Sequence, residues 1–285
     1  MIADQTYVLP TWSQYGLAGA KVLLFALFVA GLWELVNVFT RYDDEVELFD
    51  RRNVPYAVVR ISLVLAQGIA MMPLVGYTTG TFWTEVGTLA GWAAGILVVL
   101  LVITVAGDRR LRHRATAESD LGSAIVRGGY VLAAGLVLNA ALSGTAPDVG
   151  TAIASSIVFA ALGIVGLLLA FFVLRIGGLF GRRGTTGRTG LAGGIVSAGV
   201  LISLGLVLRT AVAGDFLGWR NGILSFLATF AAGLVGLVVL TWLIDLVLIR
   251  SRRLSGIVGR DEALPASVMA GLLVAVSLGI SSVVL

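Results

Sequence analysis

Hydrophobic positions in this chain come in long unbroken runs rather than in stripes. Eight runs cover roughly residues 17–40, 55–78, 83–107, 121–143, 148–176, 190–213, 219–248 and 264–285. Each is longer than the ~18 apolar residues needed to cross a hydrocarbon core. The runs do not alternate with a period of two, so they predict membrane-spanning helices rather than barrel strands. A helix satisfies every backbone polar group within its own segment. The polar residues between the runs are unevenly shared. Arg41, Arg51 and Arg52 follow the first run; Arg109, Arg110, Arg112 and Arg114 the third; Arg182, Arg183 and Arg188 the fifth; Arg250, Arg252, Arg253 and Arg260 the seventh. The opposite connections are short and carry Arg220 beside Asp4, Glu85, Asp148 and Asp215. The positive-inside rule therefore assigns the basic loops to the cytoplasm and both termini to the outer side, where Trp12, Tyr77, Trp83 and Trp219 suit an interfacial aromatic belt. The polar start, without a basic segment, predicts no signal peptide.

The charged segment Thr40–Asn53, leading into Arg60 and Gly68, is echoed along the chain. Asn53, Arg60 and Gly68 align with Asp120, Arg127 and Gly135 at an offset of 67 (53 to 120), and with Gly190, Ser197 and Gly205 at a further 70 (120 to 190). The fourth copy, from Arg260 to Gly279, follows the pattern loosely. The repeating unit is a hairpin of two crossings, so successive units keep one orientation and are parallel repeats. The expected fold is all-α and polytopic: eight transmembrane helices as four parallel-repeated hairpins, grouped as halves 1–144 and 145–285.

Composition agrees and narrows the chemistry. The chain is 58% hydrophobic and 13% charged, with a mean hydropathy of +0.99, which sets it apart from soluble domains. It has no cysteine, a single histidine (His113) and a single lysine (Lys21). That excludes disulfides, thiolate metal sites, a bis-histidine haem and a Ser-His relay. The arginines that raise the pI lie between spans, so they read as topology determinants rather than a nucleic-acid surface. No nucleotide-binding loop is present, and neither an enzyme activity nor a cofactor is expected.

The run Thr40-x-Tyr42-Asp43-Asp44-Glu45…Asn53-x-x-x-Ala57, followed by a glycine-bearing helix, resembles the bacterial inner-membrane family called domain of unknown function 350. The second copy shows the pattern at Glu118-Ser-Asp120-Leu-Gly-Ser-Ala124, with Asp in place of Asn, and the third has Gly190 there. The resemblance implies an integral protein of the cell inner membrane built of tandem hairpins. It carries no established activity and transfers no catalytic residue.

Candidate site residues follow from the cost of charge in lipid. Glu34, Arg60, Arg127 and Asp245 form a candidate intramembrane polar layer, roughly 8–10 Å inside the cytoplasmic boundary at ~1.5 Å rise per residue. The layer is expected to pair acids with arginines inside the bundle, with snorkelling to the headgroups as the alternative for Arg60. Asp43, Asp44, Glu45, Glu47 and Asp50 make an acidic loop that suits either a cation or a protein partner. Gln67 and Asn139 are expected to bridge helices, and Pro73 to kink its own. Gly68, Gly87, Gly91, Gly95 and Gly135 are expected to pack helices closely, within the chain or between subunits. The expected partners are the lipid bilayer and a homo-oligomer or membrane complex. The functional expectation is an ion or small-solute channel or transporter; the alternative is a non-catalytic scaffold or subunit that recruits a partner through its cytoplasmic loops.

Overall fold

The computed structural model describes residues 12–40, 43–76, 81–106, 120–176, 190–216, 218–247 and 254–283. The basic stretches 109–114, 182–188 and 250–253, with Tyr77 and His113, lie outside them.

Eight long helices stand where the apolar runs predict: α1 (Trp12–Thr40), α2 (Val54–Gly76), α3 (Phe82–Ala106), α4 (Leu121–Ala141), α5 (Val149–Ile176), α6 (Leu191–Val212), α7 (Trp219–Val247) and α9 (Ala263–Val283). All eight are long and apolar enough to cross a membrane. The short helix α8 (Leu254–Gly259) precedes α9, and a π-helical turn, Val46–Asp50, joins α1 to α2. Helix α2 continues through Pro73.

The returning helices of the four hairpins, α2, α4, α6 and α9, pack side by side in that order and form the spine of the molecule. The others flank them: α3 lies against α2 and α4, α5 against α4 and α6, and α7 against α6 and α9, while α1 packs on α3 and α2. Among the described residues, no comparable contact joins α9 back to α2, so the spine is an open row.

Glycine sets the closeness of the row. A Cβ on Gly135 of α4 would stand 2.8 Å from the Ala66 backbone of α2; one on Gly129 would stand 2.6 Å from Ala198 of α6. Gly205 of α6 meets Ala133 of α4 at 2.8 Å, and Gly199 of α6 meets Ala270 of α9 at 2.6 Å. In lipid no hydrophobic effect drives helices together, so backbones that approach this closely gain dispersion contacts that larger residues would forbid. Gly68 also packs, with Phe25 of α1 at 3.5 Å. Among the described residues nothing packs on Gly87, Gly91 and Gly95: all three are exposed on α3 and nothing stands within 4 Å of a Cβ built on them. The reason is rotational. Helix α3 turns Leu89, Ala93, Ile96 and Leu100 toward its neighbours, which leaves the glycine stripe outward.

Candidate functional site

The charged loop folds back onto the start of α2 as a built structure. Asp43 Oδ1 accepts from the amide of Glu45 at 2.9 Å and from that of Val46 at 3.4 Å, which opens the turn. Within the turn the Arg51 amide bonds to the Val46 carbonyl at 2.9 Å. The turn points Asp44 and Glu47 inward and leaves Asp43, Glu45, Phe49 and Asp50 exposed. Arg52 closes it at φ +50°.

Asp44 meets Arg60. Its Oδ1 accepts from Arg60 Nε at 2.9 Å and lies 2.8 Å from Arg60 Nη2, and the Tyr56 hydroxyl donates to the same oxygen at 2.5 Å. The guanidinium stands 5.0 Å from the Trp33 ring centre of α1 and 5.3 Å from that of Tyr56, and Arg60 Nη1 donates to the Trp33 carbonyl at 3.4 Å. A cation over two aromatic faces gains quadrupole attraction beyond its ion pair. Glu47, also buried, accepts from Arg51 Nη1 at 2.7 Å and from Asn53 Nδ2 at 2.9 Å. Asn53 Oδ1 in turn accepts from the Tyr56 amide at 3.2 Å, as an N-cap does.

This cap explains the repeated Asn53, Asp120 and Gly190 position. Asp120 caps α4, accepting from the Ser123 amide at 3.4 Å and the Ser123 hydroxyl at 2.8 Å. Gly190 has no side chain to cap α6, and the role passes to Asp261, whose Oδ1 accepts from the Ala192 amide at 2.7 Å. A Cβ at Gly190 would stand 2.7 Å from that same oxygen, so glycine makes room for the donated cap. The recurring position is therefore a helix start.

Two members of the expected layer, Glu34 and Arg60, do not pair with each other. Arg60 is buried and neutralised by the loop acid Asp44, rather than by Glu34 or by snorkelling. Glu34 is exposed. Trp33 faces Arg60, and the next residue on a helix points ~100° away. Arg127 is buried and donates from Nη2 to the Thr104 carbonyl of α3 at 2.5 Å. The Asp245 side chain lies outside the described residues. Asn139 does bridge helices, donating from Nδ2 to the Ile69 carbonyl of α2 at 2.7 Å. Gln67 Nε2 donates to Met71 Sδ in its own helix at 3.3 Å. Among the described residues, no group of three His, Cys, Asp or Glu side chains converges as a metal site would.

Two features escaped the sequence reading. Lys21 of α1 and Glu85 of α3 form a buried ion pair at 2.5 Å, toward the end of the bundle away from the charged loop. A lone lysine inside an apolar run was the available signal. At the same end a cleft of about 230 Å³ opens between the α4–α5 and α6–α7 connections. Its lining includes Thr145, Ser155, Ser156, Asp215 and Ser225. Thr145 donates its hydroxyl to Asp215 Oδ1 at 2.5 Å and its amide at 3.2 Å, and these bonds hold the Asp215 carboxyl below the usual range.

A family model described as Domain of Unknown Function (DUF350) matches residues 10–142 and again residues 148–284. No curated protein and no solved structure matches the chain.

Proposed function

The chain belongs to the DUF350 family, whose domain it carries twice in tandem, and from that premise we propose that it is a non-catalytic membrane subunit whose folded acidic loop docks a cytoplasmic partner. The observation that carries this reading is the sorting of the loop's charges. Asp44 and Glu47 are spent inside on Arg60, Tyr56, Arg51 and Asn53. That leaves Asp43, Glu45 and Asp50 exposed on the same short loop as Phe49, which is 76% exposed. An exposed aromatic side chain on a loop that also exposes three carboxylates suits a partner with a basic rim and an apolar pocket. The packing of the spine supports the same reading, because its helices close on each other at glycine and its two buried arginines, Arg60 and Arg127, are held by Asp44 of the loop and by the Thr104 carbonyl.

The test uses the full chain in native membranes. Neutralising only the outer acids (Asp43→Asn, Glu45→Gln, Asp50→Asn) leaves the inner network and Asp43's capping geometry in place. One stoichiometric soluble partner should co-purify with the wild type in low salt, and its recovery should fall about tenfold with the triple variant, equivalent to ~1.4 kcal/mol of binding. Equal recovery from both proteins would defeat the reading.

The polar cleft favours passage of an ion or small solute as a second reading. In that case proteoliposomes should show a cation flux that drops with Asp215→Asn. Absence of proton, potassium and chloride flux from both proteins would remove it.

A further inference from the structure

The two connections that frame the cleft hold equivalent places in the repeat and are locked to each other. Gly144 and Gly214 stand 70 residues apart (144 to 214), as do Thr145 and Asp215. A Cβ on Gly144 would collide with the Gly214 carbonyl oxygen. Gly214 itself sits at φ +139°, a conformation that side chains rarely adopt. The Phe216 amide donates to the Thr145 carbonyl at 2.9 Å. With the two bonds from Thr145 to Asp215 Oδ1, these contacts fix the mouth of the cleft. Thr145 lies in the linker 143–147, between the two matches to the family. The cleft therefore opens at the junction of the tandem copies, and junctions of this kind are where small-molecule sites concentrate.

Its lining changes character with depth. At the mouth Asp215 is exposed, and the Thr145 bonds, which both fall on Oδ1, keep its carboxyl ionised at neutral pH. About two turns inside α5 and α7 stand the hydroxyls of Ser156 and Ser225. Ser155 spends its hydroxyl on the Ala152 carbonyl at 3.1 Å, whereas no bond within the described residues engages those of Ser156 and Ser225. About three turns inside α5, Phe159 packs on Gly222 of α7, where a Cβ would stand 2.9 Å from its ring. Among the described residues no basic side chain lines the cleft. Below Phe159 the helices close. A Cβ on Gly163 of α5 would run into Val137 of α4 and stand 3.3 Å from Val212 of α6, and one on Gly166 would stand 3.3 Å from Leu208 of α6. The cleft is blind: as it stands it holds a solute, and passage would need the helices to part.

One fixed negative charge at the mouth, hydroxyls below it and an aromatic base suit a monocation with an uncharged tail. An ammonium group brings three donors for a carboxylate and neighbouring oxygens. A hard divalent cation asks for six or more oxygens, and Asp215 is the single carboxylate in the lining. At the ~30 Å³ that a water takes in the liquid, the cleft has room for roughly eight non-hydrogen atoms. We propose that it is a binding site for a small primary ammonium group with a short uncharged tail, the head on Asp215 and the tail between Ser156, Ser225 and Phe159. The ammonium belongs either to a free amine or to an aminophospholipid headgroup. Binding here needs neither the docking role nor passage, and it is read at equilibrium without a gradient, so its failure and theirs are distinguishable.

The full chain in phosphatidylcholine nanodiscs is titrated with n-butylammonium chloride, followed by calorimetry and by the rise in unfolding temperature that a native-state ligand gives. n-Butylammonium should bind, and n-butanol, butyrate and potassium at equal concentration should not. Asp215→Asn should weaken binding about tenfold, since the charge-assisted bond goes while an amide oxygen remains for Thr145. Ser156→Leu, which fills the cleft from its wall, should abolish binding with Asp215 untouched. Asp148→Asn removes another exposed carboxylate at the same end and keeps its cap on α5, so it should bind as the wild type does. Phosphatidylethanolamine nanodiscs distinguish the sources. Competition with n-butylammonium there assigns the site to the lipid headgroup, and undiminished binding assigns it to a free amine. The inference is overturned by any of four results: no binding to folded wild type, equal binding of n-butanol, displacement by potassium, or an equal loss in Asp148→Asn and Asp215→Asn.

Discussion

Replacing Asp44 with alanine is expected to destabilise the protein by about 3–5 kcal/mol, the usual cost of stripping one partner from a buried ion pair. Arg60 would remain 2% exposed, held between Trp33 and Tyr56, without its counter-charge. The Tyr56 hydroxyl would lose the carboxylate to which it donates at 2.5 Å. The loop would loosen as well, because Asp44 is the point where it is fastened to α2. Asp50→Asn on the same loop is the control: Asp50 is exposed, and such surface changes stay within about 0.5 kcal/mol. Thermal unfolding in detergent micelles separates the two. The double variant Asp44→Leu/Arg60→Met should recover most of the loss, since apolar residues of similar volume often replace a buried pair without penalty. Equal unfolding of Asp44→Ala and Asp50→Asn would show that the pair does not hold the loop.

The second large effect is at a glycine. A Cβ on Gly194 of α6 would stand 2.5 Å from the Gly122 carbonyl oxygen of α4 and 2.7 Å from its Cα. These are backbone atoms that cannot swing aside, so Gly194→Val must push α4 and α6 apart. Overpacking of this kind costs about 1–3 kcal/mol, and more where the backbone itself has to move. The neighbouring contacts of Gly129 with Ala198 and Gly205 with Ala133 would open with it. Gly91→Val makes the same chemical change on α3, where nothing stands within 4 Å, and should leave the unfolding temperature nearly unchanged. If both valines were equally harmful, the cost would come from the residue type and not from the approach of the helices.

These contrasts separate what was legible in the chain from what was not. The eight spans and the tandem hairpins were readable, because crossing a bilayer depends on the summed hydropathy and backbone pairing of each segment alone. The element starts fall close to expectation for the same reason. The glycines were harder to read. Gly135 and Gly91 sit in equally apolar helices, yet one touches a backbone and the other faces open space. A helix that is apolar all round carries little signal of which face is turned inward. The acidic loop was legible as an outlier in charge but not as a network. Its five acids look alike in sequence, and the turn at 46–50 sends two of them inward.

The sequence by itself thus determined that the chain is an all-helical membrane protein, how many spans it has and how they repeat. Tertiary structure decided the partners. Arg60 chose Asp44 over Glu34 because Trp33, one residue before Glu34, occupies the inward face of α1. Lys21 found Glu85 because α1 and α3 pack together although α2 lies between them in the chain. Asp261 took over the cap that Gly190 gave up, across a loop from the next repeat. Each of these depends on the rotation and adjacency of helices. Those are fixed by where small residues let backbones meet, and no single segment of the sequence contains that information.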